Sequence, residues 1–193
     1  MPTAFANRLA GIAQEQHTRF HMMDEADAAL CRQIRKYWTD LRLGFTSCVT
    51  VPWSAVFVSW CVKQAGATGS EFKFAAGHSV FVHQAIKNAM DGVGVFHGLD
   101  ISVHPPDIGD IIQNNRGGTT FDFAHARRNQ RYQSHSAIVV EIGRDSRDGR
   151  FAVTIGGNEG NSIRRTVVPL TSAGFIKPRT SNPFISVIKT LKA

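Results

Sequence analysis

Apolar residues recur every three to four positions in the first half of the chain and alternate with polar residues in the second half. The first pattern predicts helices over 4–22, 24–43, 54–65 and 78–90. The second predicts strands near 108–113, 135–142, 151–155, 162–168 and 184–191. We expect one α+β domain spanning 1–193, with helices (1–90) packed on one face of an antiparallel sheet (108–191).

The predicted helix at 54–65 has a hydroxyl at the head of its apolar face. Pro52 suits the first helical position and Gly66 suits a left-handed end. Counting from Ser54, the apolar stripe consists of Phe57, Val58, Cys61, Val62 and Ala65. Free N–H groups and the helix dipole favour negative charge at such a terminus. Ser54 is therefore either a helix-capping serine or a reactive hydroxyl.

Three further motifs lie in the strand region. Asp110 ends a turn, Asp-Ile-Gly-Asp, before a short strand, and His135 begins a β-branched run. Gly-Gly-Asn158 closes the strand after that, and residues 143–149 have the Gly, Asp and Ser content of a hairpin loop.

Together these motifs resemble those of the CHAP and NlpC-type papain-like hydrolases of peptidoglycan. Those families have Trp-Cys-Ala-x-Phe on a helix, Gly-Asp before a strand, His on a strand, and Gly-Asn one strand later. The chain is similar above all to an uncharacterised relative that has Trp-Ser-Ala-x-Phe instead, followed by Ala-x-His, here Ala76-Gly-His78. The resemblance implies a papain-like (NlpC/CHAP-like) fold.

The resemblance also implies roles for three residues. Ser54 occupies the nucleophile position, His135 that of the base and Asn158 that of the group orienting the base. A serine hydroxyl needs more help than a thiol, because a thiolate forms readily at a helix terminus. Three explanations stay open: a working serine enzyme, a silent binding module that kept the fold, or an engineered Cys-to-Ser inactive form.

Four more residues are expected to bind substrate in the same cleft: Trp53, His78, Asp110 and Arg116. The irregular segment 114–134 precedes His135, and loops of this length are commonly functional, which predicts a substrate lid.

The cysteines offer one alternative nucleophile. Cys48 lies in a loop six residues before Ser54, where it could approach His135, although a loop cysteine is more often inert. Cys61 and Cys31 are expected in the core. Three cysteines without framework spacing predict a reduced protein that does not depend on a disulfide.

Metal and cofactor motifs are absent from the sequence, which has no zinc-binding pattern and no phosphate loop after a strand. His17 and His21, one helical turn apart, either chelate a metal or are ordinary surface residues. We expect no cofactor and no metal.

Charge and targeting signals bear on partners. A net charge of +7 and a pI near 9.8 suit a polyanionic cell wall, whereas arginines interleaved with aromatics, as in nucleic-acid readers, are missing. No run is long enough to span a membrane, and residues 1–20 lack a signal-peptide core. Synthesis in the cytoplasm and non-classical export to a periplasm or wall are expected.

The resulting functional hypothesis is hydrolysis of a peptidoglycan amide or peptide bond, by an antibacterial effector with a possible immunity partner or by a phage lysin. The alternatives are a silent wall- or protein-binding module and an intracellular amidase or transferase.

Overall fold

The structure is a computed structural model that describes residues 1–146 and 149–193. Within those residues the chain forms five helices and six strands. The helices are α1 (Ala4–Phe20), α2 (Ala28–Asp40), α3 (Ser54–Gln64), α4 (His78–Asp91) and α5 (Phe123–Arg128). The strands are β1 (Phe96–Asp100), β2 (Ile111–Asn115), β3 (Ser134–Asp145), β4 (Gly149–Glu159), β5 (Ser162–Pro169) and β6 (Phe184–Thr190).

The six strands form one antiparallel sheet in the order β1-β6-β2-β3-β4-β5. Alternate strand residues point to opposite faces. On one face Ile138 and Ile155 join the core that contains the buried helix residues. On the other, Val139 and Val168 pack with Leu170 and the chain that follows β5. We call these the helix face and the outer face. The α+β prediction is confirmed.

Helix α3 runs through the middle of the helix-face core. All of its residues from Ser54 to Val62 are buried, because α3 packs between α1, α2 and the sheet. Trp53 is the N-cap and Ser54 the first helical residue, so Pro52 lies two residues further out than predicted. Gly66, with a φ of 105°, follows the C-cap residue as expected.

Two elements were not predicted. Strand β1 is a short edge strand, and Gly98 in it lies against the backbone of α4. Its five residues therefore show little alternation of apolar and polar side chains. Helix α5 has only six residues and is capped by Asp122, whose Oδ1 accepts a hydrogen bond from His125 N at 2.7 Å. Helix α2 also begins later than predicted, with Asp27 rather than Asp24 at its N-cap.

The segment 114–134 is ordered by the buried side chain of Asn115. Its Nδ2 donates to the carbonyls of Phe121 and Pro183, and its Oδ1 accepts from Thr119 Oγ1 and the Phe121 N–H. The expected irregular lid is therefore a folded wall that includes α5. The predicted hairpin loop at 143–149 is shorter, because the strands extend to Asp145 and from Gly149; its residues 147 and 148 lie outside the described residues.

The prediction of a disulfide-free protein is wrong. Cys31 on α2 and Cys48, in the loop before α3, form a disulfide with Cα atoms 5.5 Å apart. Cys48 therefore has no free thiol and is not the alternative nucleophile. Cys61 is a free cysteine and fully buried, as predicted.

Candidate functional site

Ser54 and His78 meet where two helices begin. Ser54 is the first residue of α3 and His78 the first residue of α4. The Ser54 Oγ lies 2.7 Å from Nε2 of His78, a short hydrogen bond between side chains that are almost entirely buried. The first intrahelical bond of α3 runs from Phe57 N to Trp53 O, so the N–H groups of residues 54–56 precede the helix ladder. A hydroxyl, an imidazole and backbone donors thus converge.

The His78 imidazole is held in its neutral form. Burial lowers its pKa well below 6.5, and the positive charges of His135 and Arg116 lower it further. Its Nδ1 is buried and has no hydrogen-bond partner among the described residues. A neutral imidazole can accept the Ser54 proton, but no group among the described residues accepts a hydrogen bond from Nδ1 to stabilise the imidazolium that would result.

A cleft of about 350 Å³ opens onto this pair. The starts of α3 and α4 form one side. The opposite side consists of 116–117 and 132–134, the two ends of the folded wall. Arg116 and His78 therefore do line the Ser54 cleft, as expected from the sequence. The wall bounds the cleft and supplies its charged residue, Arg116.

The expected contact between Ser54 and His135 is not formed, because the hydroxyl pairs with His78 instead. The His135 ring centroid is 5.0 Å from that of His78, in a T-shaped arrangement. His135 Nε2 lies 2.8 Å from Glu159 Oε1, and Thr166 Oγ1 donates to Glu159 Oε2 at 3.0 Å. This pair lines a second cavity, of about 170 Å³, on the outer face.

A bulge in β4 explains why Asn158 does not reach His135. The register between β4 and β5 shifts between Gly157 and Glu159, and Asn158 has a φ of 56°. The extra residue changes which side chain points to which face. Asn158 Nδ2 donates to Glu25 Oε2 at 2.7 Å, whereas Glu159 takes the position next to His135. The orienting role expected of Asn158 thus falls to its neighbour.

Glu25 ties this bulge to the start of α3. Its Oε2 also accepts a hydrogen bond from Trp53 Nε1 at 2.9 Å. Trp53 is completely buried and does not line the Ser54 cleft, which speaks against the expected contact with substrate. Glu25, which also binds Asn158, thus fixes Trp53, the residue that precedes Ser54.

Asp110 is likewise a structural residue away from the cleft. Its carboxylate accepts hydrogen bonds from His104 Nε2 at 2.8 Å and from the backbone N–H groups of Asp107 and Thr190, both at 2.9 Å. These bonds fix the turn before β2 against β6. Asp110 does not line the Ser54 cleft, where it was expected; it lines a different depression, near the N-terminus.

Sequence reasoning missed Glu159 and Glu25. Glu159 directly follows Asn158, and the Gly-Gly-Asn-Glu-Gly-Asn run signalled an irregular strand end at which the register could shift. No local signal pointed to Glu25, which lies in the α1–α2 connection and reaches its partners only through the tertiary fold.

The described residues contain no group of three or more His, Cys, Asp or Glu side chains able to hold a metal ion. His17 and His21 stack on each other with ring centroids 4.7 Å apart. Within the same residues no helix is long and apolar enough to cross a membrane.

The fold and site define an α+β protein with a Ser–His pair where two helices begin. The chain belongs to the family "Uncharacterized protein conserved in bacteria (DUF2272)", whose family model matches residues 10–186. No curated protein and no solved structure gives a significant match.

Proposed function

We propose that this protein is a papain-like hydrolase of amide or peptide bonds in peptidoglycan, with Ser54 as its nucleophile. The observation that carries the proposal is the 2.7 Å contact between Ser54 Oγ and His78 Nε2 at the N-terminus of α3. A hydroxyl in hydrogen-bond contact with a neutral imidazole is the arrangement that nucleophilic catalysis requires.

This contact moves the base from His135 to His78. As Ser54 Oγ attacks the carbonyl carbon, its proton passes to His78 Nε2. The N–H groups at the start of α3 can donate to the carbonyl oxygen as it becomes negative. His78 then returns the proton to the leaving nitrogen, and water attacks the acyl-enzyme to release the acid and regenerate Ser54.

His135 and Glu159 support this step from the outer face. A positive charge on His78 would be opposed by positive neighbours, but the Glu159 carboxylate lies 2.8 Å from His135 Nε2 and offsets the charge of that ring. We propose that the pair tunes the field at His78, since the T-shaped arrangement places the ring centroid of His135 5.0 Å from that of His78.

Peptidoglycan as the substrate is supported by the motif resemblance and by the net charge of +7, which favours a polyanionic wall. The cleft of about 350 Å³ is large enough for a short stretch of peptide. An antibacterial effector neutralised by an immunity protein, or a phage lysin, is the proposed setting. Delivery to a periplasm or wall is part of this proposal.

The second candidate is a wall-binding module without catalysis. The observation that favours it is the unpartnered Nδ1 of His78. In efficient serine hydrolases a third group holds that nitrogen and stabilises the imidazolium. Without one, the pair can bind an amide and yet turn over slowly.

Digestion of purified sacculi tests the proposal. Ser54→Ala should abolish digestion, whereas Ser136→Ala should not, although it also removes a buried hydroxyl, one without a hydrogen-bond partner. Ser54→Cys should retain or raise activity, because the thiolate forms more easily. If Ser54→Ala digests as fast as the parent, Ser54 is not the nucleophile. If the parent binds sacculi but releases nothing, the binding module is correct.

A further inference from the structure

Arg116 is a cation in the cleft without a protein partner. Its guanidinium makes no hydrogen bond and no ion pair among the described residues, whereas Arg165 on the sheet pairs with Glu141 at 2.8 Å. The residues that line the cleft include no Asp and no Glu. Arg116 is exposed, so its charge is hydrated in the free protein and its guanidinium is available to a ligand anion.

We propose that Arg116 binds a free carboxylate of the substrate, so that the Ser54 cleft selects amide bonds lying close to a carboxyl group. The inference that the bound carboxylate belongs to a substrate rests on the proposed function. The carboxylate site itself does not depend on catalysis.

The backbone before Arg116 is held in place, although the arginine side chain itself is exposed. Arg116 directly follows Asn115, whose buried amide is held by four hydrogen bonds to surrounding chain segments. A fixed backbone lowers the entropy lost when the side chain binds an anion. The planar guanidinium also suits a carboxylate, which it can bind through two parallel hydrogen bonds.

The remainder of the cleft favours an anion too. The starts of α3 and α4 both face it, and each carries partial positive charge. The Nδ1 of His78, a residue that lines the cleft, is buried and has no hydrogen-bond partner among the described residues. The helix starts and the guanidinium of Arg116 together favour a polar, negatively charged ligand.

Binding would couple to the chemistry. Arg116 and His135 are the charged neighbours that oppose a proton on His78, and Glu159 lies beyond His135. A carboxylate on Arg116 cancels one of the two opposing charges. The substrate would thereby make His78, the base that takes the Ser54 proton, more basic, which links recognition of the carboxylate to activation of Ser54.

NMR of the His78 ring tests the site without requiring activity. The probes are N-acetylalanine, which has a carboxylate, and N-acetylalanine amide, which does not, at equal ionic strength. N-acetylalanine should raise the pKa of His78 in the parent, and the amide should leave it unchanged. In Arg116→Gln the pKa should be higher without any ligand and should not respond to N-acetylalanine. Arg128→Gln, which removes an exposed charge from the same wall, should behave like the parent.

The proposal is overturned if both probes act alike, or if Arg116→Gln responds as the parent does.

Kinetics separate the failure of this proposal from the failure of the proposed function. With an active enzyme, Arg116→Gln should raise KM about tenfold for a peptide with a free carboxyl group and leave its amidated form unchanged. An inactive protein with the NMR response intact has a carboxylate site but is no hydrolase, and an active one without the response is a hydrolase that ignores the carboxylate.

Discussion

The two histidines near the site have complementary partners on opposite faces of the sheet. His78 holds a hydroxyl but no carboxylate, and it is buried on the helix face. His135 holds the Glu159 carboxylate but not the hydroxyl, and it lines the outer-face cavity. A serine and a carboxylate are thus both close to a histidine, but each contacts a different imidazole.

The backbone explains this division. His135 occupies a strand position whose neighbours of the same parity, Ala137 and Val139, face outward. His78 begins a helix that points its N-terminus at that of α3. The general lesson is that the order of motif residues along a chain predicts which residues approach one another, but not which of two nearby imidazoles contacts the nucleophile.

The largest expected effect separates the two histidines directly. His78→Gln keeps a hydrogen-bonding group beside Ser54 but cannot take its proton, so sacculus digestion should fall about 10²- to 10⁴-fold. His135→Gln should change it at most about tenfold, because this ring acts only through the field at His78. Initial rates of soluble fragment release measure both.

His97→Gln, a change in the edge strand β1, serves as the control and should leave the rate unaltered. Thermal unfolding of each variant excludes simple loss of the fold. If His135→Gln is as damaging as His78→Gln, the base is His135 and the Ser54–His78 contact rearranges when substrate binds.

The architecture was largely predictable because periodicity is a local property. The apolar stripe of α3 and the β-branched run of β3 each determine their own element, and both are present. Strand β1 and helix α5 were not predictable in this way. Each is short and is held by neighbours that are distant in sequence.

The site was predictable only in part, since its geometry depends on a single inserted residue. Ser54, His78 and Arg116 were all expected in one cleft, and they line it together. Because of the bulge at Asn158, Glu159 rather than Asn158 lies next to His135. Residue spacing in the sequence does not reveal to which face a side chain at a bulge points.

A second prediction concerns the covalent link on the helix face. The disulfide joins two cysteines 17 positions apart and closes the loop that leads to α3, whereas the walls of the outer-face cavity have no such link among the described residues. Reduction should lower the free energy of unfolding by about 3 kcal/mol. Urea unfolding with and without dithiothreitol measures this.

The double variant Cys31→Ser/Cys48→Ser should have the lower stability in both solutions and no response to the reductant. An unchanged urea midpoint for the parent on reduction would contradict the assignment of this disulfide to the folded protein.

A third prediction breaks the outer-face pair alone. A Cβ at Gly156 would lie 2.0 Å from Glu159 Oε1 and 2.9 Å from His135 Nε2. Gly156→Ala should therefore displace the flexible Glu159 carboxylate and lower activity about tenfold, as should Glu159→Gln. Fragment release and thermal unfolding together measure the outcome, which should be a slower enzyme of nearly unchanged stability.

The neighbouring change Gly157→Ala is the matched comparison. Its Cβ would meet Phe57 and Trp53 in the core at 2.7 Å, so it should lower the free energy of unfolding by about 1–3 kcal/mol. Full activity in Gly156→Ala would mean that Glu159 does not influence His78.

The smallest expected effect is the pH dependence of stability caused by His78. Its pKa in the folded protein lies below 6.5, so just below pH 6.5 the unfolded chain binds a proton at His78 and the folded protein does not. The His78 contribution is complete above pH 6.5 and is lost as the pH falls from 6.5 toward the folded value. The slope for one proton is about 1.4 kcal/mol per pH unit. His17, whose pKa is also lowered, acts in the same direction and is kept in every variant.

Urea unfolding between pH 7 and 5 should show a shallower dependence of stability on pH in His78→Gln than in the parent. Ser54→Ala, which keeps the buried imidazole, should retain the steeper one. Equal slopes in the parent and His78→Gln would mean that His78 takes up its proton in the folded state, and the contrast between a neutral buried histidine and a carboxylate-paired one would then fail.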